Sequence, residues 1–408
     1  MTEPTLLLPA GNIDTFKTAL RFGADAVYCG MNQFSLRAQA DNFDDRLLGD
    51  AIEMAHGLKK TVHITLNIFA RNADRQNMLR AASRARDLGA DALIVSDLGM
   101  SAEIARQVPG IDIHVSTQAN ITNATTARIY HDLGAVRFVA ARELSLSELE
   151  EMTKELEDVI EVETFIHGAE CMSYSGRCML SAAMVGRSAN RGDCAQPCRW
   201  SYALVERKRP EEQWEIVETP KGNAILSAHD LCMIEHMPRL MKSGIACFKV
   251  EGRMKNELYV ATVGLAYRRV MDACKNGTVT DDLIRECRAE MDKVSHRAYD
   301  TGFYFGPPSE PGMAVGTQQS AEFVARVLNV SGKIALLEMR NRFFVGDHLE
   351  AITPEGIRPF PVEDIRLDAT GEHVDVVNVP LCRVQVPYTG TLAAGDLIRG
   401  PVRNRANT

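Results

Sequence analysis

The sequence predicts an α/β fold. It is a (β/α)8 TIM-like barrel with a cysteine-rich insertion before the last barrel strand, followed by a small C-terminal all-β barrel. Three observations predict it. Short apolar runs alternate with helix-like segments through the first two-thirds of the chain, the pattern of parallel βαβ units. Eight such runs occur between Thr5 and Val250, the number that closes a barrel. Past a Gly/Pro-rich stretch at Gly302 to Gly312, the pattern changes to short alternating strands.

The first run, Thr5 to Leu8, ends at Pro9-Ala10-Gly11, and Asn12 is placed to cap a helix through Phe16, Ala19 and Leu20. Asp25 to Cys29 is the second strand, closed by Gly30. Thr61 to Leu66 is the third, after a helical stretch from Asp45 to Gly57. Ala92 to Ser96, Ile113 to Ser116, Val136 to Val139 and Val162 to Ile166 are the fourth to seventh. Ala246 to Val250 is the eighth. The phrase Gly-Ala-Asp-Ala leads from helix to strand at Gly23 and Gly89, with echoes at Gly134 and Gly244. Glycine there supplies the left-handed turn of a helix exit. An open doubly wound sheet is the rival. No G-x-G-x-x-G follows the first strand, which argues against a dinucleotide site.

Helical patterns at Asn256 to Asn276 and Asp281 to Arg297 complete a barrel domain over 1–300, with the insertion at about 169–245. A linker over 301–318 and a β domain over 319–408 follow. Its expected strands are Glu322 to Val327, Lys333 to Glu338, Asp347 to Ile352, Val374 to Val379 and Arg383 to Val386. Such modules bind RNA or partners, or simply pack.

Composition narrows the class. The chain has 408 residues, is 45% hydrophobic and carries a net charge of −8. It has no apolar run long enough to span a bilayer and no basic, apolar start of an export signal. A cytoplasmic protein with reduced thiols is expected. The charge disfavours broad nonspecific nucleic-acid binding but leaves room for a local basic patch.

Function in such a barrel belongs at the C-terminal strand ends. Those ends carry Asn67, Asp97, Gln118, Asn120, Arg142, Glu143, His167, Glu251 and Arg253. Singly, each could be a loop cap; together they suggest a ligand pocket. Its arginines could grip a carboxylate, and Glu143, Glu251 and His167 are candidates for proton transfer.

Roughly 75 residues separate strands seven and eight, far beyond an ordinary βα loop. This segment holds Cys171, Cys178, Cys194 and Cys232, spaced C-x6-C-x15-C-x37-C, with Cys198 a fifth thiol. Four thiolates suit an iron–sulfur cluster or a structural zinc, and the paired C-x2-C knuckles of a zinc ribbon are missing. Arg177, Arg187, Arg191, Arg199 and Arg207-Lys208-Arg209 stand near Tyr174, Trp200 and Tyr202. That combination is either a solvated face or a surface for a phosphate backbone and an unpaired base. Trp214 suggests a hairpin closing the insertion.

These residues resemble the collagenase-like U-32 peptidase family. The likeness is carried by His167 to Ser181, Asn190 to Trp200, Asp230-Leu231-Cys232 and Phe248 to Lys255. At the N-terminus it includes Pro9-Ala10-Gly11, Tyr28, Gly30, Phe34, Arg37 and Asn42-Phe43. The resemblance implies an iron–sulfur protein supporting oxygen-independent hydroxylation. One branch makes 5-hydroxyuridine at the tRNA wobble position and depends on prephenate; another hydroxylates a 23S rRNA cytidine; a third serves anaerobic ubiquinone synthesis with a paralogous partner. By motif, a 4Fe-4S cluster would be held by Cys171, Cys178, Cys194 and Cys232, with Cys198 the alternative fourth ligand. An anionic co-substrate such as prephenate would meet Asn67, Gln118, Arg142, Arg253 and Lys255. The expected partners are tRNA or rRNA, with no membrane and with a paralogue or a second copy of the chain as possible company. The peptidase name itself finds little support, since the chain has neither H-E-x-x-H nor G-x-S-x-G. His167 close to Cys171 keeps a thiol peptidase open.

Overall fold

The computed structural model describes residues 3–31, 34–36, 43–171, 173–200, 228–308 and 317–403. Arg37, Asn42, Tyr202, the basic run at 207–209 and the expected hairpin at Trp214 lie outside them.

Eight parallel strands close into a barrel. In chain order they are β1 (Thr5–Pro9), β2 (Ala26–Gly30), β3 (Thr61–Leu66), β4 (Ala92–Val95), β5 (Asp112–Val115), β6 (Arg137–Val139), β7 (Glu161–Ala169) and, after the short β8 (Asp230–Cys232), β9 (Cys247–Val250). Each pairs with its neighbour, and β9 closes the ring by pairing with both β7 and β1. All eight expected strands are present, within about two residues at most ends.

The repeated Gly-Ala-Asp phrase has a physical role at each of its letters. Gly23 and Gly89 adopt φ of +107° and +93°, which a side chain would strain. At Gly23 a Cβ would also strike the Arg268 side chain. The aspartate two residues later turns back onto the preceding strand. Asp25 accepts the Leu6 backbone N–H at 2.9 Å, and Asp91 accepts that of Val62 at 2.7 Å. The phrase thus ends a helix and satisfies the start of a strand. Asn12 caps the first helix, Ile13–Arg21, in a reciprocal capping box with Thr15.

The rim of the barrel holds elements that were not foreseen. β7 is nine residues long, so its last residues rise above the barrel rim. This overhang pairs antiparallel with β8, aligning His167 with Cys232, and β10 (Tyr299–Asp300) adds to β8. Cys232 therefore lies in a strand, not in a loop. The expected linker also begins later than 301. Tyr304 is buried in the barrel wall, its hydroxyl 2.6 Å from the Phe165 carbonyl and 2.7 Å from Thr164 Oγ1.

The C-terminal unit is built of antiparallel sheets. A seven-stranded sheet centres on Ala321–Ser331, flanked by Ile334–Met339 and Leu397–Pro401. Its own apolar core includes Val327, Leu337, Phe343, Phe360 and Val386. Gly356–Pro361 and Leu397–Pro401 are strands beyond those expected. The unit meets the barrel through charge. Arg399, fully buried, pairs with Glu350 at 2.7 Å and with Glu290 of the helix Asp281–Met291. Arg340 reaches Glu257 at 3.3 Å, and Arg326 pairs with Asp14. No helix among the described residues is long and apolar enough to cross a membrane.

Candidate functional site

The C-terminal mouth of the barrel holds a cavity of about 70 Å³, lined among others by Tyr28, Asn67, Gln118, Arg142, Lys249, Glu251 and Arg253. It is large enough to admit a small polar group or ordered water. A larger cavity, about 810 Å³, opens at the other end of the barrel around Val136, Lys154 and Gly244; none of the expected site residues lines it.

Arg253 enters the mouth cavity almost fully buried. Its Nη1 donates to Ser35 Oγ at 2.5 Å and Thr65 Oγ1 at 2.7 Å. Arg142 lies over the Phe165 ring at 4.3 Å, and its buried Nε makes no hydrogen bond; the nearest carboxylate oxygen, on Glu170, is 3.8 Å away. Asn67 is held by the Leu36 N–H at 3.2 Å, and Gln118 sits in the short helical turn Thr117–Ala119. Glu251 faces the Tyr28 hydroxyl at 3.5 Å. Lys249 was not foreseen, because it sits inside an apolar strand. It forms the cavity floor, its Nζ 2.7 Å from Glu163 Oε1 and 4.6 Å from the Tyr28 ring centre. Burial pushes the Glu163 carboxyl up, but Lys249 and Arg137 outweigh it and hold the group below its ordinary value.

His167, Lys255, Glu143, Asp97 and Asn120 do not line this cavity. His167 rides on the β7 overhang, away from the cavity. It is buried among Tyr259, Tyr267 and Tyr299, with ring centres 5.3–5.9 Å away. Burial depresses its pKa to about 3, so the imidazole is neutral. Lys255 donates to the Ser295 carbonyl at 2.7 Å and lies over the Tyr259 ring at 5.0 Å. Glu143 accepts the Ser175 backbone N–H at 2.9 Å, which makes it an anchor of the cysteine segment. Asp97 is an ordinary helix cap, accepting from Met100 N at 2.9 Å.

The cysteine segment lies as a roof on the mouth. Gly176, at φ +73°, presses against the Gln118 carbonyl closely enough to exclude a Cβ, and Gly192, at φ +91°, does the same against Ser35. Arg191 clamps the roof by donating to the Phe69 carbonyl at 2.8 Å and to Asp74 at 2.7 Å. Asn190 donates to the Cys178 carbonyl at 3.1 Å. Cys171 and Cys194 are exposed, Cys178 and Cys198 half-buried. The Cys198 thiol is pushed up by burial and, further, by the charges of Cys171, Cys194 and Cys178. Those four thiols are thus electrostatic neighbours. Cys232 keeps different company. It is buried, its Sγ 3.8 Å from Met291 Sδ, with Tyr267 and Arg288 nearby, and burial raises its pKa to about 11. Around the thiols, Tyr174 is 66% and Trp200 41% exposed, and Arg177 is exposed as well.

A zinc ion bound by thiolates at about 2.3 Å would draw the sulfurs to within ~3.8 Å of one another. No three thiols among the described residues lie within 4.8 Å of each other.

Comparison with known proteins adds the family context. The sequence matches peptidase family U32 over residues 11–314 and the peptidase family U32 C-terminal domain over 319–399. It is 34% identical to "tRNA hydroxylation protein P1" of Bacillus subtilis over 404 residues, covering 97% of this chain and 94% of that protein. It is 35% identical to the "23S rRNA 5-hydroxycytidine C2501 synthase" of Escherichia coli, over 66% of this chain and 39% of that protein. A "Collagenase" of Porphyromonas gingivalis is 29% identical over 90% of this chain and 85% of that protein.

Proposed function

This chain belongs to peptidase family U32, and on that premise we propose that it serves RNA hydroxylation, forming 5-hydroxyuridine at the tRNA wobble position with prephenate as co-substrate. The observation that carries the reading is the thiol-bearing roof seated on a cation-lined barrel mouth. The relative named for tRNA hydroxylation matches nearly end to end, C-terminal unit included, whereas the match to the rRNA enzyme covers a minor part of that protein. That difference favours tRNA over rRNA.

Cys171, Cys178 and Cys194 would hold a 4Fe-4S cluster, with Cys198 as the fourth ligand in place of Cys232, because Cys198 shares their electrostatic neighbourhood. The cluster, when bound, would supply one-electron redox chemistry. The remaining work falls to the chain's own groups. Arg253 and Arg142 bind a carboxylate of the co-substrate, and Lys249 sets positive charge beneath it. Asn67 and Gln118 orient it. Glu251, the carboxylate in the cavity wall, is placed to hold or move a proton. Tyr174 and Trp200 stack a splayed base, and Arg177 meets its phosphate.

A thiol peptidase needs a low-pKa cysteine paired with a basic histidine. His167, the histidine of that reading beside Cys171, is buried and its imidazole is shifted down, away from the basic partner such a thiol needs.

The test is nucleoside analysis of separately hydrolysed tRNA and rRNA from a deletion strain. The expected result is loss of 5-hydroxyuridine-derived nucleosides from tRNA, restored by the wild-type chain and not by Cys194→Ala. Unchanged nucleosides in both RNA pools would overturn the proposal, and a loss confined to rRNA would move the substrate to a cytidine.

A further inference from the structure

Beneath the mouth, the barrel interior holds a second set of donors that the cysteine segment does not touch. β3 contributes His63, β5 contributes His114 and β7 contributes Glu163, each the third residue of its strand. Side chains from alternate strands meet in one layer of a barrel interior. One ligand atom from each of the three lies within 4.8 Å of the other two, the one such group of His, Cys, Asp or Glu among the described residues. All three are at most 4% exposed.

Each also keeps a buried polar atom with no hydrogen-bond partner: Nδ1 of His63, Nδ1 of His114 and Oε2 of Glu163. Orphaned groups of this kind cost ~1–3 kcal/mol each, so three in one place call for an occupant. Two of the three are committed on their other atoms, and Arg137 Nη1 stands 3.6 Å from Glu163 Oε2. His63 Nε2 faces Thr61 Oγ1 at 3.3 Å, and Glu163 Oε1 takes the Lys249 ammonium at 2.7 Å. The two imidazoles meet edge to face at 4.8 Å.

We propose that His63, His114 and Glu163 bind one divalent transition-metal ion, of the zinc or ferrous type, independently of the thiol roof. Two imidazole nitrogens and one carboxylate oxygen are the donors such ions take, while magnesium and calcium prefer all-oxygen shells. Burial keeps both imidazoles neutral, with His63 lowered to about 4 and His114 further, so their lone pairs are available. A water molecule is the competing occupant. In the tautomer that turns both Nδ1 lone pairs inward, the trio would present three acceptors, more than the two protons of one water can serve. The surrounding charge permits an ion. Glu163 and Glu161 pair with Lys249 and Arg137, and Asp91 adds its charge toward His63, three negative charges against two positive. A divalent ion changes this −1 to +1. It would share Glu163 with Lys249, linking occupancy to the charge at the cavity floor.

The test uses the full-length chain with Cys171, Cys178, Cys194 and Cys198 all changed to Ser, stripped of metal, loaded with Zn²⁺ or, anaerobically, Fe²⁺, and desalted. About one equivalent of metal by mass spectrometry is expected, falling at least tenfold when His63→Leu and His114→Leu are added, with circular dichroism unchanged. No bound metal in the folded four-serine chain, or undiminished binding without the imidazoles, would overturn the proposal. Crystals of the unsubstituted protein soaked with Zn²⁺ decide the matter if these variants do not fold. An anomalous peak between the three side chains supports the site, and its absence contradicts it.

Discussion

The cysteine roof and the barrel floor are two donor-rich regions built in opposite ways. The roof carries exposed and half-buried thiols on loop backbone, seated by Gly176 and Gly192 and tied down by Glu143 and Arg191. The floor carries fully buried imidazoles and a carboxylate on strand backbone, fixed by the sheet itself. A loop can adjust to a bulky group and an incoming RNA. A strand layer holds its groups at set distances and changes little. The difference teaches that this fold keeps its rigid chemistry in the barrel and its adaptable chemistry above it.

The comparison can be broken most sharply at the roof. Cys178→Ala should lower RNA hydroxylation by more than about a hundredfold, since even outer-shell changes at metal sites cost ~10–100-fold. The thermal midpoint of the metal-free barrel should move by no more than about 2 °C, because Cys178 is half-buried on a loop outside the core. A large fall in that midpoint would mean that roof and barrel are not separate units. At the mouth, Arg253→Lys removes the guanidinium that spans Ser35 and Thr65. The expected result is a rise in KM for prephenate of roughly ten- to a hundredfold, with a smaller change in kcat. An unchanged KM would place the anion elsewhere. Glu143→Gln keeps the shape but weakens the bond to Ser175, at a cost of roughly 1 kcal/mol. Faster hydrogen exchange at 173–178, with the barrel strands unaffected, is the expected signature; exchange that does not change would show that Glu143 is no anchor.

A separate effect is on acid stability. His167 has a folded pKa of about 3 against an ordinary 6.5. Between those values the unfolded chain takes up a proton that the folded chain refuses. The contribution is therefore fully present above about 6.5 and is lost as pH falls through the window toward 3. Chemical denaturation from pH 7 to pH 4 should show a shallower loss of stability in His167→Gln than in wild type. Parallel curves would contradict the buried, neutral imidazole.

Much of the barrel was legible because its strands are uniform apolar runs, and parallel strands covered on both faces must be so. β8 and β10 were not legible, being three and two residues long and created by the overhang of β7. The same overhang misled the reading of His167, since a strand end marks the mouth only when the strand stops at the rim. In the C-terminal unit, Gly356–Pro361 contains two prolines and survives as an edge strand, where missing N–H groups do little harm. Leu397–Pro401 hides its pattern because inward Arg399 is buried against carboxylates of both units. Of the candidate site, Asn67, Gln118, Arg142, Glu251 and Arg253 do meet at one cavity. Lys249, His63 and His114 escaped notice because each stands within an apolar strand, where one polar residue reads as an exception. The signal was present in the sequence: a charged or imidazole side chain at an inward position of a closed barrel has no water to meet, so it must meet another such group.

The choice of fourth thiol tests the account most directly. Iron and acid-labile sulfide would be measured on anaerobically purified wild type, Cys198→Ala and Cys232→Ala, with an absorption spectrum of each. The prediction is about four irons and four sulfides in wild type and in Cys232→Ala, and a lost or degraded cluster in Cys198→Ala. The reverse pattern, with the cluster lost in Cys232→Ala and intact in Cys198→Ala, would contradict the arrangement of the roof described above.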